Sequence, residues 1–191
     1  MKKELIKTEG LQMAYRTEDL ETLALNDVNL TINEGEFVSI MGPSGCGKST
    51  LLNVLGMLDK CTGGSYHFDG ELISSKSERD RADIRKSNIG FVFQFHNLLP
   101  EFSAIENIML PGFIGKKNKS EVKARAEALL QEFGLYEKAN NRPSQLSGGE
   151  QQRIAVARSL INEPAIVFAD EPSGNLDEKN AAHLHELFLK L

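Results

Sequence analysis

The sequence predicts an α/β fold: a mostly parallel sheet flanked by helices, with an N-terminal antiparallel β subdomain and an inserted α-helical subdomain. Three observations predict it. The apolar run Glu36-Phe37-Val38-Ser39-Ile40-Met41 enters a glycine-rich loop and then Leu51-Leu52-Asn53-Val54-Leu55, which is a strand–loop–helix order. A second apolar run, Ala165 to Ala169, ends in the adjacent carboxylates Asp170 and Glu171. Between them, residues from about 97 to 146 read mainly as helix.

The elements follow in order. Residues 1–41 alternate strand-like stretches, Leu5 to Tyr15, Leu23 to Ile32 and Glu36 to Met41, with turn signals such as Asn33-Glu34-Gly35. Ser65 to Phe68 with Asp69-Gly70 predicts another strand and turn, and Ile89 to Phe93 predicts a strand closed by Gln94. Ser120 is expected to cap a helix on which Val122, Ala126, Leu129 and Phe133 share a face and which Gly134 ends. Ser147 is a good N-cap for a helix in which Gln151 to Leu160 repeats apolar residues at helical spacing. Glu178 to Leu191 reads as a last helix, with His183, Leu184, Leu187 and Leu191 recurring at helical spacing.

With 191 residues and 40% apolar content the chain can bury one sizeable core, and no linker divides it, so 1–191 reads as one domain. No apolar run approaches the roughly 20 residues that span a bilayer. The start, Met1-Lys2-Lys3-Glu4-Leu5, lacks the apolar stretch of a secretory signal. Two cysteines, Cys46 and Cys61, fit a reducing cytoplasm without a disulfide. A net charge of −5 argues against nucleic acid as a partner, and Lys116-Lys117-Asn118-Lys119 reads as a solvated loop.

The chemistry lies in three segments. Gly42-Pro43-Ser44-Gly45-Cys46-Gly47-Lys48-Ser49-Thr50 fits the phosphate-cradling pattern G-x-x-x-x-G-K-[ST] in its required strand–loop–helix context. Glycines let successive backbone N–H groups face phosphate oxygens, and the helix N-terminus adds partial positive charge. Lys48 would reach the β- and γ-phosphates of a nucleoside triphosphate and the Ser49 hydroxyl would hold Mg²⁺. Gln145-Leu146-Ser147-Gly148-Gly149-Glu150 opens a second helix N-terminus able to receive an anion. At the end of the 165–169 run, Asp170 would hold Mg²⁺, directly or through water, and Glu171 could orient or deprotonate the attacking water.

These three segments, in this order, resemble the nucleotide-binding domain of ABC ATPases, whose core is the P-loop NTPase fold. The resemblance spans essentially the whole chain and implies ATP hydrolysis. Gly42 to Thr50 look like Walker A, Asp170 like the Walker B aspartate, Glu171 like the catalytic glutamate, and Leu146 to Glu150 like the signature that places Ser147, Gly148, Gly149 and Glu150 at the nucleotide. Gln94 looks like the Q-loop glutamine, which touches Mg²⁺ and the attacking water. Ser173-Gly174-Asn175-Leu176-Asp177 looks like the D-loop, and Tyr15 is similar in position to the aromatic that stacks on adenine. In such a family ATP at Lys48 of one copy is closed over by Ser147 and Gly149 of another. The resemblance therefore implies an ATP-sandwich homodimer that drives integral-membrane permease subunits from the inner face of the cell membrane.

The stretches "MGPSGCGKSTLLN", "GFVFQFHNLLPEFSAIENIMLP" and "FADEPSGNLD" resemble the subgroup of lipoprotein-releasing systems, macrolide-type exporters and a related cell-division complex. The implied function is export or lipoprotein release; the alternative is mechanotransmission to a cell-division or cell-wall complex. Family members also place a γ-phosphate-contacting histidine (the H-loop) after one more strand. Here Leu191 comes 20 residues after Glu171, and His183 and His185 fall in the preceding helix. The expectation is a chain that keeps its nucleotide-site residues, lacks that strand and the H-loop, hydrolyses ATP poorly, and pairs irregularly between the strands ending at Met41 and Asp170.

Overall fold

The computed structural model describes residues 3–16 and 21–190, apart from the side chains of His183 and Lys190. Leu191 and the His183 side chain, both assigned above to a helical face, lie outside the described residues, as do Met1 and Lys2. The chain forms two compact units, divided after Arg85.

The first unit is built on strands β1 (Glu4–Arg16), β2 (Glu21–Asn33), β3 (Gly63–Phe68) and β4 (Glu71–Leu72). They form an antiparallel sheet in the order β2-β1-β3-β4. Along β1, Leu5, Ile6, Thr8, Leu11 and Met13 are buried, the alternation changing phase at the register shift between Thr8 and Leu11, and Leu25, Ile32, Tyr66 and Phe68 join them from β2 and β3. Helix α1 (Lys48–Leu55) is fixed to this sheet at both ends. At its start, Gly47 lies so close to the β2 backbone that an added Cβ would sit 2.6 Å from the Ala24 carbonyl oxygen. At its end the buried Tyr66 hydroxyl donates to the Leu55 carbonyl, and just beyond it Arg85 of helix α2 (Glu78–Asn88) donates to that of Met57.

One expectation is corrected here. Residues 36–43 carry no strand, and Phe37, Val38 and Met41 are 71%, 46% and 88% exposed. A strand exists only where a neighbour takes its N–H and C=O groups, and none of the described residues forms a ladder with this segment. Its apolar sequence suits a buried central strand, but composition alone cannot supply the partner. Helix α2 was not anticipated, because ERDRADIRKSN has no apolar periodicity; the Ser77 hydroxyl, accepting from the Asp80 N–H at 3.2 Å, stands at its start.

In the second unit, β5 (Ile89–Val92) and β6 (Ile166–Ala169) pair in parallel, Ile89 with Ile166 through Val92 with Ala169. Helices α3 (Ala104–Ile114), α4 (Lys119–Glu132), α5 (Gly148–Leu160) and α6 (Glu178–Lys190) complete it. Its core gathers Ile108, Leu129, Leu130, Ile154, Val156 and Leu184, with Val92 from the sheet. Val122, Ala126 and Leu129 lie on the buried face of α4, Phe133 is buried at its C-terminal cap, and Gly134 follows in the left-handed conformation. The cap, however, is Asn118: its side-chain oxygen accepts from the N–H of Ser120 at 2.8 Å. Asn118, at a β-region φ,ψ just before the first helical residue, reaches the exposed N–H groups, whereas Ser120 is already the second residue inside the helix.

Because Tyr66 is the buried strut under α1, Tyr66→Phe should leave the Leu55 carbonyl unpaired. Burial raises the phenol pKa, so it remains a donor at every accessible pH. We expect a loss of about 1–3 kcal/mol in unfolding free energy by denaturant titration.

Candidate functional site

The phosphate-loop residues Gly42 to Cys46 are exposed, and Gly45 and Gly47 have φ of 79° and 94°. That conformation favours glycine, and at Gly47 the packing on Ala24 excludes a side chain as well. α1 starts with no side-chain cap and no acidic residue in its first turn, so the N–H groups of Lys48, Ser49 and Thr50 take no oxygen from their own chain's capping position. The Lys48 ammonium folds over the loop and donates to the carbonyl oxygens of Gly42 at 2.9 Å and Pro43 at 3.0 Å. Ser49 is exposed in that first turn.

Tyr15, near the end of β1, is 43% exposed, and its hydroxyl donates to Asp59 Oδ2 at 3.2 Å. It pairs across the hairpin with Thr22, two residues along β2 from the Ala24 that Gly47 packs against. The exposed ring and the phosphate loop thus belong to one end of that hairpin.

In the second unit the parallel pair brings two candidate groups together at its C-terminal end. The Asp170 N–H continues the ladder by donating to the Val92 carbonyl at 3.0 Å. Gln94 lies two residues past the end of β5 and both residues are half-buried. The exposed Glu171 has φ 43°, in the left-handed region that costs a non-glycine residue strain. Its carbonyl accepts from the Gly174 N–H at 3.0 Å, closing a turn. Asn175 then donates to the Gln94 carbonyl at 3.1 Å, and a Cβ on Gly174 would meet Gln94 Nε2 at 3.1 Å. The 171–175 turn is therefore fitted to Gln94, a closeness that sequence separation hid.

The start of α5 is different from the start of α1. Ser147 and Glu150 form a reciprocal cap: Glu150 Oε2 accepts from the Ser147 N–H at 2.8 Å and hydroxyl at 2.9 Å, while the hydroxyl accepts from the Glu150 N–H at 3.3 Å. Those bonds, the backbone one foremost, hold the Glu150 carboxyl below its ordinary pKa. Ser147 and Gly148 are exposed, and the space around Gly148 is open. Gly149 is buried against α6, where a Cβ would sit 2.4 Å from Asn180 Oδ1. Asn180 is itself held by Asp177, whose Oδ1 accepts from the Asn180 N–H at 2.8 Å.

Sequence reasoning missed Asn180 and also Asn107, which is fully buried. Asn107 accepts from the Leu99 N–H at 2.8 Å and donates to the Leu99, Phe102 and Ser103 carbonyls. A buried Asn with every bond satisfied by backbone has no local sequence signature.

The chain also resembles known proteins. Residues 25–174 match the ABC transporter family. The lipoprotein-releasing system ATP-binding protein LolD of Cytophaga hutchinsonii is 51% identical over 188 residues, 98% of this chain and 84% of that protein. LolD of Bacteroides thetaiotaomicron is 48% identical over 187 residues, with the same shares covered. A dimeric, post-hydrolysis structure of the ATP-binding cassette MJ0796 bound to ADP and Pi is similar with a TM-score of 0.89 and 42% identity, over 98% of this chain and 82% of that one. A second dimeric structure of MJ0796, a bacterial ABC transporter cassette, gives 0.89 and 43% over the same shares.

The Ser147–Glu150 cap carries a pH signature. A carboxylate whose folded pKa is depressed contributes stability that is complete above its ordinary value of 4.5 and is lost as pH falls through the folded value. Glu150→Gln should therefore unfold at lower denaturant than the parent chain at pH 7, and the difference should shrink steadily as pH drops below 4.5.

Proposed function

This chain belongs to the ABC transporter family, as an ATP-binding and ATP-hydrolysing subunit with the P-loop NTPase fold, and we propose that it powers lipoprotein release through a membrane partner. The observation that carries the nucleotide reading is the uncapped start of α1, with the Lys48 ammonium already turned over the loop that precedes it. A triphosphate offers those N–H groups and that ammonium better acceptors than two loop carbonyls, because hydrogen bonds between charged groups are roughly twice as strong.

Within this reading the first unit supplies phosphate binding, by the loop Gly42 to Thr50, and an aromatic face, Tyr15, for the base. Ser49 offers a hydroxyl to Mg²⁺. By the family resemblance, Asp170 and Gln94 would be oxygen ligands of Mg²⁺ and Glu171 would orient or deprotonate the attacking water. Hydroxyl, amide and carboxylate oxygens suit Mg²⁺, which is usually held by one or two carboxylates together with substrate phosphates and waters. When bound, the ion would neutralise charge on the β- and γ-phosphates. Ser147 would meet the γ-phosphate of a second copy, closing a homodimer around ATP; of the two glycines beside it, the exposed Gly148 would face that phosphate in place of the expected Gly149, which is buried against Asn180.

Lipoprotein as cargo is supported by the identity with the two LolD proteins over nearly the whole chain. A partner in the membrane is supported by the loop after Gln94, where Phe95, Leu99 and Phe102 are 73%, 43% and 37% exposed. No helix among the described residues is long and apolar enough to cross a membrane; on this reading the permease subunits hold the chain at the inner face.

Two outcomes are expected. Lys48→Ala should weaken ATP binding at least about 100-fold by calorimetry, the scale of one or two lost charge-assisted bonds; unchanged affinity would mean that the phosphates lie elsewhere. Glu171→Gln with ATP and Mg²⁺ should elute as a dimer in size-exclusion chromatography and with ADP as a monomer. A monomer at saturating ATP would count against the sandwich.

A further inference from the structure

We infer that Arg158, at the end of the helix that begins at Ser147, is a positioning residue for Gln94. The loop leaving Gln94 contains two consecutive left-handed residues, His96 with φ 61° and Asn97 with φ 49°. Neither is glycine, so something must hold them there. Arg158 does so with both arms of its guanidinium: Nη2 donates to the His96 carbonyl and Nη1 to the Asn97 carbonyl, each at 2.6 Å. In extended backbone two successive carbonyls point to opposite sides. In a helical turn of either hand they point the same way, and a planar fork can bridge them. The bidentate contact therefore selects the turned conformation of the loop, and the turn sets the direction in which the chain leaves Gln94.

The two neighbouring anchors show why this one matters. Asn175 fixes the Gln94 carbonyl from the 171–175 turn, and Asn107 fixes Leu99 from α3. Among the described residues, Arg158 ties the stretch between them to α5 by hydrogen bonds, while Leu98 packs against the core that α5 shares. The residue at one end of that helix, Ser147, and the loop carrying Gln94 are thus joined by a rigid rod of 13 residues with hydrogen bonds at both termini. A displacement of the Ser147 end is carried to the carbonyls of His96 and Asn97, and so to Gln94. Lys at this position keeps the charge and can reach two carbonyls, as Lys48 does, but its rotatable donors do not impose the geometry of a planar fork.

The inference rests on Gln94 being a nucleotide-site residue, and the test separates the two. Arg158→Ala and Arg158→Lys are made in the full complex with its membrane partner, and ATP turnover, ATP KM and amide hydrogen exchange are followed. The expected result is a kcat lower by about 10- to 100-fold for Arg158→Ala, the scale of a small misplacement of a reacting group, with KM within about twofold, and partial recovery for Arg158→Lys. Exchange should quicken at 95–99 and stay unchanged along α5. An unchanged kcat, or a parallel loss of kcat, KM and protection throughout residues 86–190, would overturn the inference. Should Arg158→Ala not fold, Arg158→Lys carries the test, and a kcat equal to the parent's overturns the inference. If the parent itself shows no turnover, the functional reading fails, and exchange at 95–99 still decides whether Arg158 holds the loop.

Discussion

The arrangement depends on one helix end left without a cap. α3, α4 and α5 each begin with a side chain that accepts from their own first-turn N–H groups: Ser103 with Glu106, Asn118, and Ser147 with Glu150. α1 begins with a left-handed glycine, no side-chain acceptor and no acidic residue. A helix start capped only by glycine forgoes roughly a few tenths of a kcal/mol, and the compensation comes from the sheet and α2. Gly47 packs on β2, and Tyr66 and Arg85 take the carbonyls at and beyond the other end. The antiparallel sheet holds a helix in place so that its positive end can serve a ligand, and Lys48 adds a full charge to the partial one.

The start of α5 obeys the opposite logic. Its partial positive charge is already answered by Glu150, so it is poorly suited to capture a free anion unaided. What it leaves outward are the Ser147 hydroxyl and the open Gly148. Such an end contributes when a phosphate is delivered already bound, which agrees with a nucleotide held first at Lys48 of one copy and then shared with another. On the proposed reading the closed state would be favoured only through a higher affinity for ATP, so loss of the γ-phosphate would remove the preference. Strain at Glu171 and the turn fitted to Gln94 lie where that change would be sensed.

Much of this was legible in the sequence because it is local. The strand-like stretches Leu5 to Tyr15 and Leu23 to Ile32 became β1 and β2, the spacing of Val122, Ala126, Leu129 and Phe133 marked the buried side of α4 and its end, and Ser147 was readable as a cap. What failed was non-local. Phe37 to Met41 has the composition of a buried strand and lies unpaired and exposed, since strand formation is decided by a neighbour. Ser120 lost its expected role to Asn118 through a difference of two residues in where the helix starts. Neither the fork of Arg158 on His96 and Asn97 nor the contact of Gly149 with Asn180 leaves a pattern in the chain, because each joins residues far apart in number.

The central claim is that the phosphate loop of one copy and the start of α5 of another enclose the same ATP. Cys46 is exposed in that loop, and Ser147→Cys would place a second thiol at the start of α5. In a Glu171→Gln background, a short bifunctional thiol crosslinker should yield a covalent dimer with ATP and Mg²⁺ and little with ADP. Cys46→Ser should abolish the product. A dimer band of equal intensity with and without ATP, or one that persists in the Cys46→Ser chain, would contradict the account.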